Sequence, residues 1–266
     1  TDTLAVTASL LFLFFADIDI PLVLTAAAVP SENAGERSDA VENLKSAVRK
    51  AMEAEGGVHV VYGEDDYYPI NLKFEHSGYT AIDLGGGTKS GPGASRVGDE
   101  NAFYFGRFRN WNKEGLGHGG RAFAKAALDL PETELARRLE EAVRSVFIAK
   151  VFPGMRGESL IALMEAGVRY FVLELFDTGT ANLRETPFSL RRAFQRGEEL
   201  GAKFFCTSQQ EGLVDFSQYV TSHALWREGA VPMGALTTES AYTRLIAALV
   251  SGDNENEAMQ QMEEGT

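Results

Sequence analysis

The stretch Val146-Phe147-Ile148-Ala149-Lys150-Val151 opens the part of the chain whose reading decides the fold. Phe147–Val151 has the length and apolar content of a buried strand, and Glu158–Ala166 behind it has the spacing of a helix. Tyr170-Phe171-Val172-Leu173 and Ala202-Lys203-Phe204-Phe205-Cys206 repeat the strand signal, with a helix over Phe188–Leu200 between them. Helices over Gln218–Arg227 and Thr238–Val250 complete the series. Strands that run apolar almost throughout are buried on both faces, so the alternation predicts a parallel sheet between layers of helices. Ligands in such sheets lie beyond the carboxyl ends of the strands. That directs attention to the loops around Pro153, Asp177–Ala181 and Thr207–Gly212.

The same alternation runs through the first part of the chain. Thr3–Phe15 is dense in Ala, Leu and Phe and reads as a buried helix. Asp17, Asp19 and Pro21 interrupt it well before the ~20 apolar residues that a membrane-spanning helix needs. Pro21-Leu22-Val23-Leu24-Thr25 reads as a strand. Ser38 or Asp39 is placed to cap a helix running to about Ala54, and Val58, Val60 and Val61 mark a second strand. Between the two halves lie Gly85, Gly86, Gly87, Gly91, Gly93 and Gly98, followed by Gly115, Gly117, Gly119 and Gly120. This density predicts loop, linker or edge hairpin, with no helical pattern before about Pro131. The expected organisation is therefore an N-terminal α/β domain over 1–125 and a linker or helix over 126–145. A smaller, flavodoxin-like α/β domain follows over 146–252, with an acidic tail over 253–266 that reads as solvated chain or a frayed last helix.

The chain has 266 residues and a formal net charge of −13, from 38 acidic against 25 basic residues. That balance argues against nucleic acid as the main partner, because phosphate binding needs a positive footprint. A single cysteine, Cys206, excludes an intrachain disulfide and a cysteine cluster for zinc, and fits a reducing, cytoplasmic setting. The four histidines, His59, His76, His118 and His223, are scattered without metal-ligand spacing, so neither metal nor cofactor is implied.

Taken in order, several segments resemble the bacterial L-asparaginase family, most of all its cytoplasmic (type I) branch. Thr1-Asp2-Thr3-Leu4-Ala5 is similar to the family's Gly-Thr-Asp-Thr-Met helix start, and Pro21-Leu22-Val23-Leu24-Thr25-Ala26 to its Pro-Val-x-x-Thr-Gly strand. Arg37-Ser38-Asp39 with Asn43-Leu44 and Ala47 resembles the Arg-Ser-Asp-Gly…Asn-Leu helix, and Phe152-Pro153-Gly154 the Tyr-Pro-Gly turn. Gly212, Val214, Tyr219, Thr221, Leu225, Gly229, Thr237, Glu239 and Leu245 follow the C-terminal pattern in order. No single motif is specific; the ordered set is.

The resemblance implies an amidohydrolase that converts L-asparagine to L-aspartate and ammonia, with L-glutamine as an alternative substrate. It uses a threonine nucleophile supported by a Thr–Asp–Lys relay. Amide hydrolysis needs such a nucleophile, a group to deprotonate it and donors for the oxyanion. The matching positions are Thr1 and Asp2 for the Thr-Asp pair and Lys73 for the lysine, with Ile82 where a Phe is usual. Ala27 matches a position whose backbone faces the substrate amide. It lies in Ala26-Ala27-Ala28, where type I members carry Gly-Ser-Gln. Read without the resemblance, Thr1 is a helix cap, Asp2 a dipole partner and Lys73 a solvated lysine. The family's first nucleophile sits in a Thr-Gly-Gly-Thr-Ile segment ahead of the Thr-Asp-Thr motif. The sequence opens at Thr1 and so is expected to be the C-terminal two-thirds of such an enzyme, the echo at Gly86-Gly87-Thr88-Lys89 being out of place. In the second half, Gly179-Thr180-Ala181-Asn182 stands where type I members have Gly-Asn-Ala-Pro. Glu174 stands where an Arg is common, which removes support for a type I allosteric site.

Two other functions compete: an inactive asparaginase-like scaffold or regulatory subunit, favoured by Ala26–Ala28, and the ammonia-releasing subunit of a tRNA-dependent amidotransferase, which the acidic charge mildly disfavours. The expected partners are a small-molecule substrate and further copies of the chain, as a homodimer or tetramer. In the family each site is completed by a neighbouring subunit, and the apolar stretch Thr3–Phe15 needs cover.

Overall fold

The computed structural model describes residues 3–27, 38–79, 94–96, 103–112, 124–217, 219–252 and 255–263. The chain divides into two compact units between Asn110 and Trp111.

In the first unit, α1 (Leu4–Phe15) is followed by β1 (Pro21–Leu24), α2 (Ala40–Glu53), β2 (Gly57–Tyr62) and β3 (Asp65–Tyr67). β1 and β2 pair in parallel from Pro21↔Gly57 to Leu24↔Val60, and β3 folds back antiparallel on β2. Gly56 permits the turn into β2, since a Cβ there would overlap the backbone of Ile18 and Asp19. A second sheet is wholly antiparallel, with β4 (Leu72–Tyr79) and β5 (Ala94–Arg96) flanking β6 (Phe103–Asn110). The first half thus differs from a mainly parallel sheet. Leu72 and Phe74 alternate with Lys73 and Glu75, a pattern that suits strands with one buried face. Leu4, Ala5, Ala8, Val60, Leu72 and Phe108 form the core, with Leu24, Ala26, Tyr62, Tyr67 and Phe74 packed around it. Phe108 sits at the centre of three ring contacts, with Phe74, Tyr62 and Tyr67 at 4.8, 5.0 and 6.1 Å. Leu4, Ala5, Ala8, Leu13 and Phe14 of α1 are buried, whereas Val6, Leu10, Leu11, Phe12 and Phe15 are half-buried.

In the second unit a short 3-10 turn (Ala124–Asp129) and α3 (Glu132–Ser145) lead into a four-stranded parallel sheet. Its strands are β7 (Val146–Lys150), β8 (Tyr170–Leu175), β9 (Lys203–Ser208) and β10 (Ala230–Pro232), ordered β10-β9-β8-β7. α4 (Gly157–Glu165), α5 (Arg191–Leu200), α6 (Val220–Arg227), α7 (Thr238–Ser251) and α8 (Glu255–Glu263) alternate with and follow the strands. Side chains of β8 part to the two faces: Phe171, Leu173 and Leu175 join Leu160 and Met164 of α4 and Ala193 and Phe194 of α5 in one core. Tyr170 and Val172 turn to the other face, which α7 covers. Gly197 of α5 exists for this packing, because a Cβ would lie 2.5 Å from the Phe204 ring. The four strands follow one another across the sheet without a reversal of order, so the sheet lacks the switch-point crevice at which doubly wound folds hold ligands. Within the stretch 253–266, Glu255–Glu263 form α8, the last-helix alternative of the expectation. Ala258 and Met262, four residues apart, put one apolar stripe into the core, and α8 packs on α7.

Candidate active site

The site inferred from the sequence falls in the first unit. Thr1 and Asp2 lie outside the described residues, as do Ile82 and the out-of-place Thr88. Lys73 and Ala27 are both described and both half-buried.

Lys73 is the second residue of β4 and stands opposite Arg109 of β6. Its neighbours Leu72 and Phe74 pack into the core that also holds Leu4 and Ala5 of α1. One apolar cluster therefore brings together the first turn of α1, Ala26 beyond the carboxyl end of β1, and the two residues that flank Lys73. The strand is fixed beside the helix start, while Lys73 itself alternates to the opposite face from Leu72 and Phe74. On that face Glu75 pairs with Arg109 at 2.9 Å, so the lysine has both signs of charge as neighbours. The segment leading into β4 is held by Asn110, which is buried. Its Oδ1 accepts from the Tyr68 N–H at 2.9 Å, and its Nδ2 donates to the carbonyls of Tyr68 at 2.7 Å and Ile70 at 3.1 Å. Asn71 takes a left-handed conformation (φ 56°) immediately before Leu72, which completes that turn.

The loop after β1 is held from α2. Asn43, only 3% exposed, donates through Nδ2 to the Ala26 carbonyl at 2.7 Å and to Asp39 Oδ2 at 3.0 Å. Its Oδ1 accepts from the Gly63 N–H at 3.0 Å. Asp39 occupies the N-cap position of α2 yet makes no capping bond with its side chain. Its carboxylate instead accepts from Asn43 and from the Tyr62 hydroxyl at 2.9 Å. The Ser38 hydroxyl takes up the orphan N–H of Ala40 at 3.1 Å. The peptide preceding Ala27 is thereby clamped by the Asn43 amide, which is itself anchored on the Asp39 carboxylate, in addition to the packing of Ala26 on the core. Thr25, one residue before Ala26, encloses its hydroxyl with no hydrogen-bond partner among the described residues. Asn43 enters the sequence reading only as part of the resemblance; Asn110, Tyr62 and Thr25 are not singled out there as polar elements. A buried Asn on a helix face lined by Ala47 is the one local signal.

The loops beyond the parallel sheet are tied to one another. Gln209 donates through Nε2 to the carbonyls of Val151 at 2.5 Å and Glu174 at 3.0 Å. Thr238 donates to Glu174 at 3.1 Å and shares a 2.9 Å bond with Thr207, and Lys150 lies 3.7 Å from Glu174. A cleft of about 610 Å³ opens instead between Arg156, Glu158, Glu185, Arg191 and Arg192. Of its charges, Arg191 pairs with Glu228 outside the cleft at 2.9 Å, and Arg156 and Arg192 lie 3.5 and 4.0 Å from Glu158. Among the described residues no group of three or more His, Cys, Asp and Glu side chains is arranged to hold a metal ion, and no helix is long and apolar enough to cross a membrane.

Comparison with known families now adds to the geometry. Residues 1–78 match the family model described as "Asparaginase, N-terminal", and residues 145–262 match "Glutaminase/Asparaginase C-terminal domain". The chain belongs to the asparaginase family. It is 29% identical over 270 residues to a glutamyl-tRNA(Gln) amidotransferase subunit of Thermococcus kodakarensis, covering 98% of this chain and 55% of that relative. It is 26% identical over 253 residues to an L-asparaginase of Dirofilaria immitis, covering 94% of this chain and 38% of that relative. Its fold is similar to that of the thermostable L-asparaginase from Thermococcus kodakarensis, with a TM-score of 0.65 at 24% identity, covering 99% of this chain and 71% of that one. The chain thus spans about half the length, or less, of these two sequence relatives.

Proposed function

We propose that the protein is an amidohydrolase that releases ammonia from the side-chain amide of L-asparagine, with L-glutamine as the alternative substrate. The observation that carries this reading is the single cluster joining the start of α1, the clamped Ala26–Ala27 loop and the strand of Lys73. In this reading a threonine hydroxyl attacks the amide carbon. Asp2 orients Lys73, and Lys73 serves as the proton acceptor for the hydroxyl beside Thr1. The peptide at Ala27 faces the substrate amide, held in place by Asn43. No cofactor is required. A cytoplasmic, type I placement and assembly as a homodimer or tetramer belong to the same proposal.

The relatives that are amidotransferase subunits favour a second reading, in which the same amide hydrolysis supplies ammonia to a partner subunit. The chemistry at Lys73 is common to both. An inactive scaffold is the reading in which it fails.

The test is Lys73→Met in the intact protein. Loss of one member of a nucleophile-activating relay lowers turnover by a factor of about a hundred or more. Ammonia release from asparagine and from glutamine is measured, with circular dichroism as the control for folding. Turnover within about threefold of wild type would remove Lys73 from the mechanism, and a wild type inert on both amides would select the scaffold reading.

A further inference from the structure

The polar face of the β4–β6 pair breaks a pairing rule. Phe74 and Phe108 are register partners on the core face, their rings 4.8 Å apart, so Lys73, Glu75 and Arg109 share the other face. There Lys73 lies directly opposite Arg109, and Glu75 takes Arg107 as its register partner. Like charges directly opposed across two strands are destabilising. Glu75 is the one acidic residue among these register positions, and it reaches diagonally to Arg109 at 2.9 Å.

We propose that Arg109 is a positioning residue for the amide hydrolysis: by holding Glu75 it keeps that carboxylate off the amine of Lys73. This rests on the reading in which Lys73 serves the threonine and is oriented by Asp2. Two residues along a strand stand about 7 Å apart on one face, a gap that a glutamate and a lysine side chain bridge together. Glu75 is therefore a built-in rival of Asp2 for Lys73. The side chains of Glu75 and Arg109 are only 24 and 37% exposed, so the carboxylate is better served by a cation than by water. Arginine wins that competition. Its planar guanidinium meets a carboxylate through several fixed donors, whereas a lysine ammonium is a strongly hydrated point charge. Glutamine at position 109 removes the winner and turns Glu75 to Lys73. The opposed Lys73 and Arg109 cost the sheet stability, a local conflict of the kind that marks a working site.

The experiment compares Arg109→Gln, Arg109→Lys, and Arg109→Gln combined with Glu75→Gln, each in the intact protein, by ammonia release from asparagine and glutamine. Capture of Lys73 by Glu75 for about nine-tenths of the time leaves about a tenth of the protein competent, so Arg109→Gln is expected to lower kcat about tenfold. KM should stay within about threefold, since no substrate contact is altered. Arg109→Lys, with its weaker hold on Glu75, should fall between. The double variant deletes the rival together with its keeper and is expected to bring kcat back to within about threefold of wild type. A purely structural ion pair predicts a double variant no better than the single one. That result overturns the inference, as does an Arg109→Gln protein whose kcat stays within about threefold of wild type. Circular dichroism and the urea transition report folding, and Arg109→Lys carries the comparison should Arg109→Gln fail to fold. The approach of the two side chains is read separately, by NMR contacts between the Lys73 Hε and Glu75 Hγ protons. These should strengthen in Arg109→Gln; unchanged contacts overturn the inference whatever the turnover. A wild type inert on both amides rejects the enzyme proposal, while contacts that strengthen still identify Arg109 as the group that holds Glu75 off Lys73.

Discussion

Replacing Asn43 by alanine tests whether hydrogen bonds, rather than packing, hold the loop that carries Ala27. The substitution deletes three bonds at 2.7, 3.0 and 3.0 Å. It leaves the Ala26 carbonyl and the Gly63 N–H to find other partners. A net intramolecular bond is worth roughly 1 kcal/mol, and an enclosed group left unmet costs about 1–3 kcal/mol. Gly63 is half-exposed and water meets part of its need, so the expected loss is about 3 kcal/mol for the first unit. At a slope of about 2 kcal/mol/M this moves the urea midpoint of that unit down by roughly 1.5 M. Hydrogen exchange supplies the local readout, because the Gly63 amide proton is bonded to the Asn43 side chain and its protection should fall before that of β2. Asn43→Asp sharpens the test. It keeps the shape and the acceptor for Gly63 but donates nothing to Ala26 and sets a second carboxylate beside Asp39. It should destabilise at least as much as alanine at neutral pH. In the amidase reading both variants raise KM for the amide. A stability loss below about 0.5 kcal/mol, less than one net hydrogen bond, with Gly63 protection unchanged, would show that packing alone fixes the loop.

Gly197→Ala places a methyl 2.5 Å from the Phe204 ring, which is buried and cannot withdraw, so α5 must shift. A loss of about 1–3 kcal/mol, measured by denaturation, is expected despite the better helix propensity of alanine, and a gain in stability would refute the close approach. The Glu134 carboxyl is held down to about 2, first by its bonds to Arg137 and then by those to Arg138. A folded value depressed below the ordinary 4.5 means that the contribution to α3 is fully present above about pH 4.5. It is lost as the pH falls through about 2. Carboxyl titration by NMR should show this, and Glu134→Gln should flatten the acid limb of the second unit; an ordinary Glu134 titration would refute it.

The parallel sheet is legible in the sequence because its strands are apolar on both faces, which few helices imitate at that length. β10 is not: Ala230-Val231-Pro232 is three residues long and its Pro argues against a strand. The antiparallel sheet of β4 to β6 is masked by the surrounding glycines. Yet Leu72 and Phe74 alternate with Lys73 and Glu75, and Phe108 stands between Arg107 and Arg109, which is the period-two signal of a half-buried strand. α8 reads as a tail or a frayed last helix because its one apolar stripe, Ala258 and Met262, is narrow and its other residues are mostly polar. The site is less legible than the fold. Asn43 is 17 residues from Ala26 and 20 from Gly63, and Asn110 is 42 residues from Tyr68; bonds over such distances leave no periodicity to read.

The two faces of α2 connect these threads. Its inner face spends its polar groups on the Ala26 carbonyl, on Gly63 and on Tyr62, and so cannot present the apolar stripe that would anchor it by burial. The stripe, Val41, Leu44, Val48 and Met52, is displaced to the outer side, where water meets it unless another surface does. Burying one valine or leucine side chain is worth about 1.5–3 kcal/mol, so four residues left in water forgo stabilisation comparable with the whole of a small unit's margin. An asparagine clamp inside and an apolar face outside are therefore one design: α2 positions the Ala26–Ala27 loop through the polar face that it turns to the core, and gives up apolar burial to do so.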